Sequence, residues 1–388
     1  KSSFESRFDK KILSVLTSSP RRIYNMQKAL PRLLPGGETL QYRFIEIRGN
    51  IPTRVNKFLK SDCDAFIMAK AALDRLMTAP EKEFGQVQKE IRELCDQCLW
   101  MVLPLTLNPS AAAQGALAIE IRSHRKDLKE MLSLINQKLD FEAVEQERKV
   151  LASYGGGCHQ KIGINVIHCY ENSNGRILEG KIQYLKGLTD GGEVLDSLSF
   201  TPVGARPPKV ANKNLIHPLP GKNLSSNHWF DRIPLESKLG FDVNAMTEKL
   251  RPYIGIWITK ADALPEQAET SLDGKIIWTA GVETWEKLAK RGIWVNGTAD
   301  SLGENQDLRL DFLGLDSSNK SSSSKQAWIK LTHDEGFENP MFSFFPTYKL
   351  VPAKSLPVLR PETTHYFWSS ASQFRLALEK YPFIRDKY

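Results

Sequence analysis

Between Leu13 and Leu76, short apolar runs alternate with amphipathic stretches. LSVLTS (13–18), FIEIR (44–48) and AFIMA (65–69) have the length and apolar density of strands. Each leads into a stretch of helical period: PRRIYNMQKAL sets Ile23, Met26 and Leu30 on one face, a second helix follows Pro52, and AKAALDRLM is a third. Strands separated by helices need a parallel or mixed sheet with covered faces, which predicts an α/β unit.

After Gln114-Gly115 the run ALAIEI predicts a further strand, and residues 126–153 predict helix with charged faces, ended by the glycines at 155–157. IGINVIHCY, KIQYLKGLT and LDSLSF predict a small antiparallel sheet. Residues 202–227 hold five prolines and little periodicity, the pattern of a linker or irregular crossing. A second α/β pattern follows. IGIWITK, KIIWTAG, AWIKLTH and FSFFPTYKLV are strands, ETWEKLAKRG is a helix closed by Gly292, and HYFWSS leads into the helix ASQFRLALEKY. SSNKSSSSK (317–325) reads as a flexible loop.

With 388 residues, the chain is long enough for two to three domains. The sequence has no apolar run of about 18 residues and no signal-peptide pattern, so no membrane partner and a cytoplasmic location are expected. Its net charge of +8 suits an anionic partner. Aromatic residues are not interleaved with the basic ones and no zinc-finger or helix-turn-helix spacing occurs, so nucleic acid is not the expected ligand. The five cysteines are an odd set, which argues for reduced thiols, and the lone Cys95–Cys98 pair reads as helix packing rather than a metal site.

The candidate chemistry lies at strand-to-helix turns. In Thr17-Ser18-Ser19-Pro20-Arg21-Arg22, Ser19 is placed to cap a helix with Pro20 at its first position, which aims free N–H groups and two arginines at a carboxylate. Arg48-Gly49-Asn50-Ile51-Pro52-Thr53-Arg54 follows the next strand, at the edge where open α/β sheets place ligands, and Arg75 follows the third. Several guanidinium groups on one edge suit a ligand with many carboxylates. Gly155-Gly156-Gly157-Cys158 gives a cysteine an exposed turn near Lys161, either an ordinary loop residue or a thiolate nucleophile.

TSSPRR, RGNIPTR, DAFIMAKAALDRL, AAAQGALAIEIR, Glu147-Arg148 and GGGCHQKIG occur in the order and approximate spacing of porphobilinogen deaminases (hydroxymethylbilane synthases), which this part of the chain resembles. The resemblance implies the family's second and third domains. Cys158 would carry a dipyrromethane cofactor through a thioether, on which porphobilinogen units are joined into a linear tetrapyrrole. Arg21, Arg22, Arg48, Arg54 and Arg75 match arginines that hold cofactor or growing chain, Thr17, Ser19 and Asn50 match polar contacts, and Gln114 and Gly115 match the return to the first domain. The family's first domain, with its catalytic aspartate, should precede TSSPRR, so that aspartate is expected upstream of this chain; Asp62 and Asp64 do not replace it. Leu16 stands where the family has glycine.

Beyond residue 228 the chain resembles uroporphyrinogen-III synthases in WITKADAL, IIWTAGVETWEKLAKRGIWV and HYFWSSASQFRLAL. That resemblance implies inversion of the last pyrrole ring and closure of the macrocycle, with Thr259, Thr279, Thr284, Ser369 and Ser370 as cleft contacts or, equally, simple turn and cap residues. The expected architecture is therefore α/β: a periplasmic-binding-protein-like deaminase domain with its return (1–125), a small α+β cysteine-bearing domain (126–205), a linker (206–227) and a second, incomplete α/β region (228–388). The expected ligands are porphobilinogen and a linear tetrapyrrole, with no metal. The alternatives are a deaminase with a silent extension and a non-catalytic tetrapyrrole-binding scaffold.

Overall fold

The computed structural model describes residues 11–157, 159–173, 176–202, 229–235, 243–300, 328–334, 343–359, 361 and 370–386. The linker, the serine-rich segment 317–325, Cys158 and Ser369 lie outside the described residues.

The first unit is a parallel sheet of order β2-β1-β3, with β1 Ile12–Leu16, β2 Gln41–Ile45 and β3 Ala65–Phe66. Each strand is followed by a helix: α1 Pro20–Leu33, α2 Ile51–Leu59 and α3 Lys70–Met77. Because the strands run the same way, the three helix N-termini lie along one edge. Ser19 Oγ accepts from Arg22 N at 3.4 Å and Asn50 Oδ1 from Thr53 N at 2.9 Å, so α1 and α2 start where their cap residues specify.

Three predicted strands change. FIEIR pairs only through Ile45, the carbonyl of which accepts from Thr17 N; beyond it Ile47 is drawn into a turn, where its N–H and C=O both bond Ser18 Oγ. AFIMA keeps a two-residue strand, since β1 ends at Leu16 and offers Ile67 only one more rung. ALAIEI is not a strand: no described strand lies beside it, and Leu117 is 89% and Ile119 63% exposed.

Beyond α3, α4 Glu81–Gln97 carries Cys95 against a core of Val55, Leu73 and Met77, with Cys98 at its C-cap; burial pushes the Cys98 thiol up. The predicted helix over 126–153 is two, α5 Lys126–Ser133 and α6 Lys138–Ser153. α5 buries no side chain, so nothing tertiary extends it. α6 packs on an antiparallel sheet of β4 Lys161–Ser173, β5 Arg176–Leu188 and β6 Val194–Pro202, as the alternation predicts.

The rest of the described chain forms a six-stranded sheet of order β10-β9-β8-β11-β12-β7: β7 Phe230–Pro234, β8 Gly255–Ile258, β9 Ile276–Thr279, β10 Gly297–Thr298, β11 Trp328–His333 and β12 Ser343–Pro352. All its pairings are parallel except that of β7. Its helices are α7 Val243–Leu250, α8 Val282–Lys290, which ends before Gly292 (φ 85°) as expected, and α9 Ala371–Lys380.

Successive strand residues face opposite ways. Ile256, Ile258, Ile277, Ile329 and Leu331 share a core with Leu13, Val15, Met26 and Leu33, while Trp257, Trp278 and Trp328 share another with Val55, Leu73, Met77 and Ile91. Both faces of the six-stranded sheet are thus buried against the first unit. Among the described residues no helix is long and apolar enough to cross a membrane.

Candidate anion-binding site

The site forms at the turn from β1 into α1. Thr17 is 2% exposed and its Oγ1 accepts from Ser19 N at 3.4 Å, so it stabilises the turn rather than facing outward. Two residues into the helix, Arg21 points inward and is only 5% exposed. Its Nη1 donates to Asn108 Oδ1 at 3.1 Å and to the Pro109 carbonyl, and its Nη2 to Gln114 Oε1 at 3.4 Å. Burial, then the neighbouring Arg22 charge, lowers its pKa to about 10. That is still three units above neutrality, so the cation persists.

Arg22 donates from Nη1 to the Ile67 carbonyl at 3.3 Å, which ties α1 to the end of β3; burial and then the Arg54 charge hold its pKa below the usual range. Arg54 donates to the Gly49 carbonyl at 2.6 Å. Among the described residues none of these three guanidinium groups meets a carboxylate; all their acceptors are neutral oxygens. A neutral acceptor satisfies hydrogen bonds and leaves the charge in place, so the repulsion between like charges persists until an anion arrives.

Arg48 and Arg75 are not drawn in. Arg48 is exposed and pairs with Glu46 at 2.5 Å, and Arg75 is exposed on the last turn of α3, the end remote from the strand edge. Asn108 and Pro109 were not singled out from the sequence; the Asn-Pro turn in LTLNPS was the signal for a fixed bend there. Glu147 is 4% exposed and accepts from Ala113 N (2.7 Å), Val166 N (2.8 Å) and Asn165 Nδ2 (3.3 Å), a purely structural position.

The glycines before Cys158 have φ of 99°, 66° and 117°, a run only glycine adopts readily. The Arg21–Arg22–Arg54 set, which meets no carboxylate among the described residues, suits a ligand that carries carboxylates.

In the C-terminal sheet, Thr284 Oγ1 donates to the Thr259 carbonyl at 3.3 Å, bringing α8 against the end of β8. Thr279 is fully buried and donates to the Gly281 carbonyl, and Ser370 caps α9, accepting from Gln373 N at 3.2 Å. Lys260 lies near Thr259, with its pKa lowered by burial and then by Arg232.

Residues 6–130 match the family described as porphobilinogen deaminase, dipyromethane cofactor binding domain. Curated porphobilinogen deaminases align with the chain: that of Bacillus cereus is 35% identical over 195 residues, 50% of this chain and 52% of the relative; that of Neisseria meningitidis serogroup A is 32% identical over 179 residues, 46% and 47%; and that of Lawsonia intracellularis is 34% identical over 121 residues, 31% and 33%. The chain thus spans between a third and about half the length of these relatives. Residues 6–130 are thus similar to a porphobilinogen deaminase domain, and dipyrromethane is the cofactor named for that domain family.

Proposed function

We propose that the chain is part of a tetrapyrrole-biosynthetic enzyme, a cytoplasmic hydroxymethylbilane synthase, in which the β1–α1 edge holds the carboxylates of a polypyrrole. The observation that carries this is the Arg21–Arg22–Arg54 cluster, three cations whose acceptors among the described residues are all neutral. Arg22 and Arg54 bind the carboxylates; Arg21 sets the local potential from inside. Ser19 and Asn50 contribute through the helix N-termini they cap, and Thr17 through the turn. Arg48 and Arg75 serve only a ligand that extends beyond the cluster. When bound through Cys158, dipyrromethane supplies the primer to which porphobilinogen units are added with loss of ammonia. The periplasmic-binding-protein-like reading of residues 1–125, and a catalytic aspartate supplied from outside this chain, belong to the same proposal.

The test is the intact mass of the purified protein with and without Cys158→Ala. A mass excess equal to one dipyrromethane, absent from the variant, is expected. An unmodified mass after incubation with porphobilinogen, in protein that includes the domain supplying the aspartate, rejects the synthase and leaves a tetrapyrrole-binding scaffold.

The meeting of Thr259, Thr284 and Lys260 at the carboxyl edge of a parallel sheet favours a second activity, ring inversion and closure to uroporphyrinogen III by the C-terminal region. Formation of isomer III from hydroxymethylbilane, against isomer I from the uncatalysed reaction, tests it.

A further inference from the structure

Residues 100–106 run as a strap along the outer edge of the six-stranded sheet, and the strap continues through residue 114 beside α1 and β4. Asn296, just before β10, accepts on its backbone oxygen from Val102 N at 2.7 Å and donates from Nδ2 to the Trp100 carbonyl at 2.9 Å, while its Oδ1 accepts from Ile277 N at 2.9 Å. Just past β10, Asp300 accepts from Thr106 twice, from Oγ1 at 2.6 Å and from N at 3.2 Å. Asp300 has φ of 54°, a left-handed conformation that a non-glycine residue keeps only when its surroundings over-determine it. Its own N–H donates to Thr298 Oγ1 at 3.1 Å.

From Thr106 the strap has little freedom. Leu107 and Asn108 both close a turn onto the Pro104 carbonyl, and Leu107 is buried in the core shared by the two halves. The next two residues are Asn108 and Pro109, acceptors of the Arg21 guanidinium.

We propose that Asp300 and Asn296 are positioning residues for Arg21, acting through this strap, so that the C-terminal half is a working part of the anion site and not a tethered neighbour. The proposal rests on the reading of the β1–α1 edge as a carboxylate site. Coupling of this kind needs a measured interaction, not mere adjacency, and a mutant cycle supplies one.

The experiment measures the affinity of the full chain for uroporphyrin I, an octacarboxylate, by fluorescence titration well below the melting temperature, with near-ultraviolet circular dichroism to verify folding. Asp300→Ala is expected to weaken binding about tenfold, with Asp300→Asn between it and wild type. In the background of Arg21→Ala, Asp300→Ala is expected to add nothing. Thr106→Val, which keeps shape and removes one donor, is expected to weaken binding about threefold and serves if Asp300→Ala does not fold. Wild-type affinity in folded Asp300→Ala or Thr106→Val, with Arg22→Ala weakened, overturns the positioning role and leaves the site intact. Wild-type affinity in Arg22→Ala overturns the site, and the positioning role with it.

Discussion

The carboxylate of Glu147 accepts from the backbone N–H of Ala113 at 2.7 Å and thereby holds a non-glycine residue at φ 62°. Ala113 precedes Gln114, whose Oε1 accepts from both Ala111 N and Arg21. A buried carboxylate on α6 thus fixes the bend that presents an acceptor to an arginine on α1.

Glu147→Ala leaves three donors without an acceptor and is expected to cost about 2–4 kcal/mol in urea unfolding, with Glu147→Gln costing about 1 kcal/mol. Burial raises the Glu147 pKa against the opposing pull of its hydrogen bonds. A carboxyl raised in the folded state binds its proton more tightly there, so its contribution to stability grows as pH falls through that raised range and is lost as pH rises. The gap between wild type and Glu147→Gln should therefore widen on acidification; a gap that narrows contradicts the sign.

Trp285 is fully buried and donates from Nε1 to the Leu33 carbonyl at 3.0 Å, with the Arg32–Glu286 pair beside it at 2.8 Å. The pair is half exposed and worth at most about 1 kcal/mol, whereas Trp285→Ala is expected to cost about 3–5 kcal/mol. Because the core is common to both halves, Trp fluorescence and far-ultraviolet circular dichroism should report one coincident unfolding transition. Two separated transitions would contradict a shared core.

Arg22→Ala should weaken uroporphyrin I binding about tenfold or more, while Arg48→Ala, which removes a charge already paired in solvent, should change it less than about threefold. Equal losses from the two variants would show that the cluster has no special standing. Raising salt from about 0.05 to 0.5 M should weaken wild-type binding as the Debye length shrinks.

A methyl group on Gly163 would stand 2.6 Å from the Pro109 carbonyl oxygen and 3.0 Å from Arg21 Cδ. Gly163→Ala should therefore cost about 1–3 kcal/mol in thermal unfolding and also reduce uroporphyrin I affinity, because the strap and the guanidinium must both move.

The helix start at Ser19-Pro20, the amphipathic face of α1 and the alternation of the antiparallel sheet were legible because each signal lies within a few residues of its effect, whereas α2, expected after Pro52, begins two residues earlier, capped by Asn50. The blocks TSSPRR and RGNIPTR were legible as arginine-bearing turns after strands for the same reason. ALAIEI misled because a strand pattern states only what a segment suits, and pairing needs a neighbour that the pattern does not supply.

The inward turn of Arg21 onto Asn108, 87 residues away, and the anchoring of Trp285 on Leu33, 252 residues away, left no local mark. By itself the sequence determined which turns would carry arginines and which helices would begin there, since capping and side-chain period are short-range. Only the tertiary structure decided which of those arginines is buried, which keep an unanswered charge and which pairs off in solvent, because each depends on how segments far apart in the chain exclude water from one another.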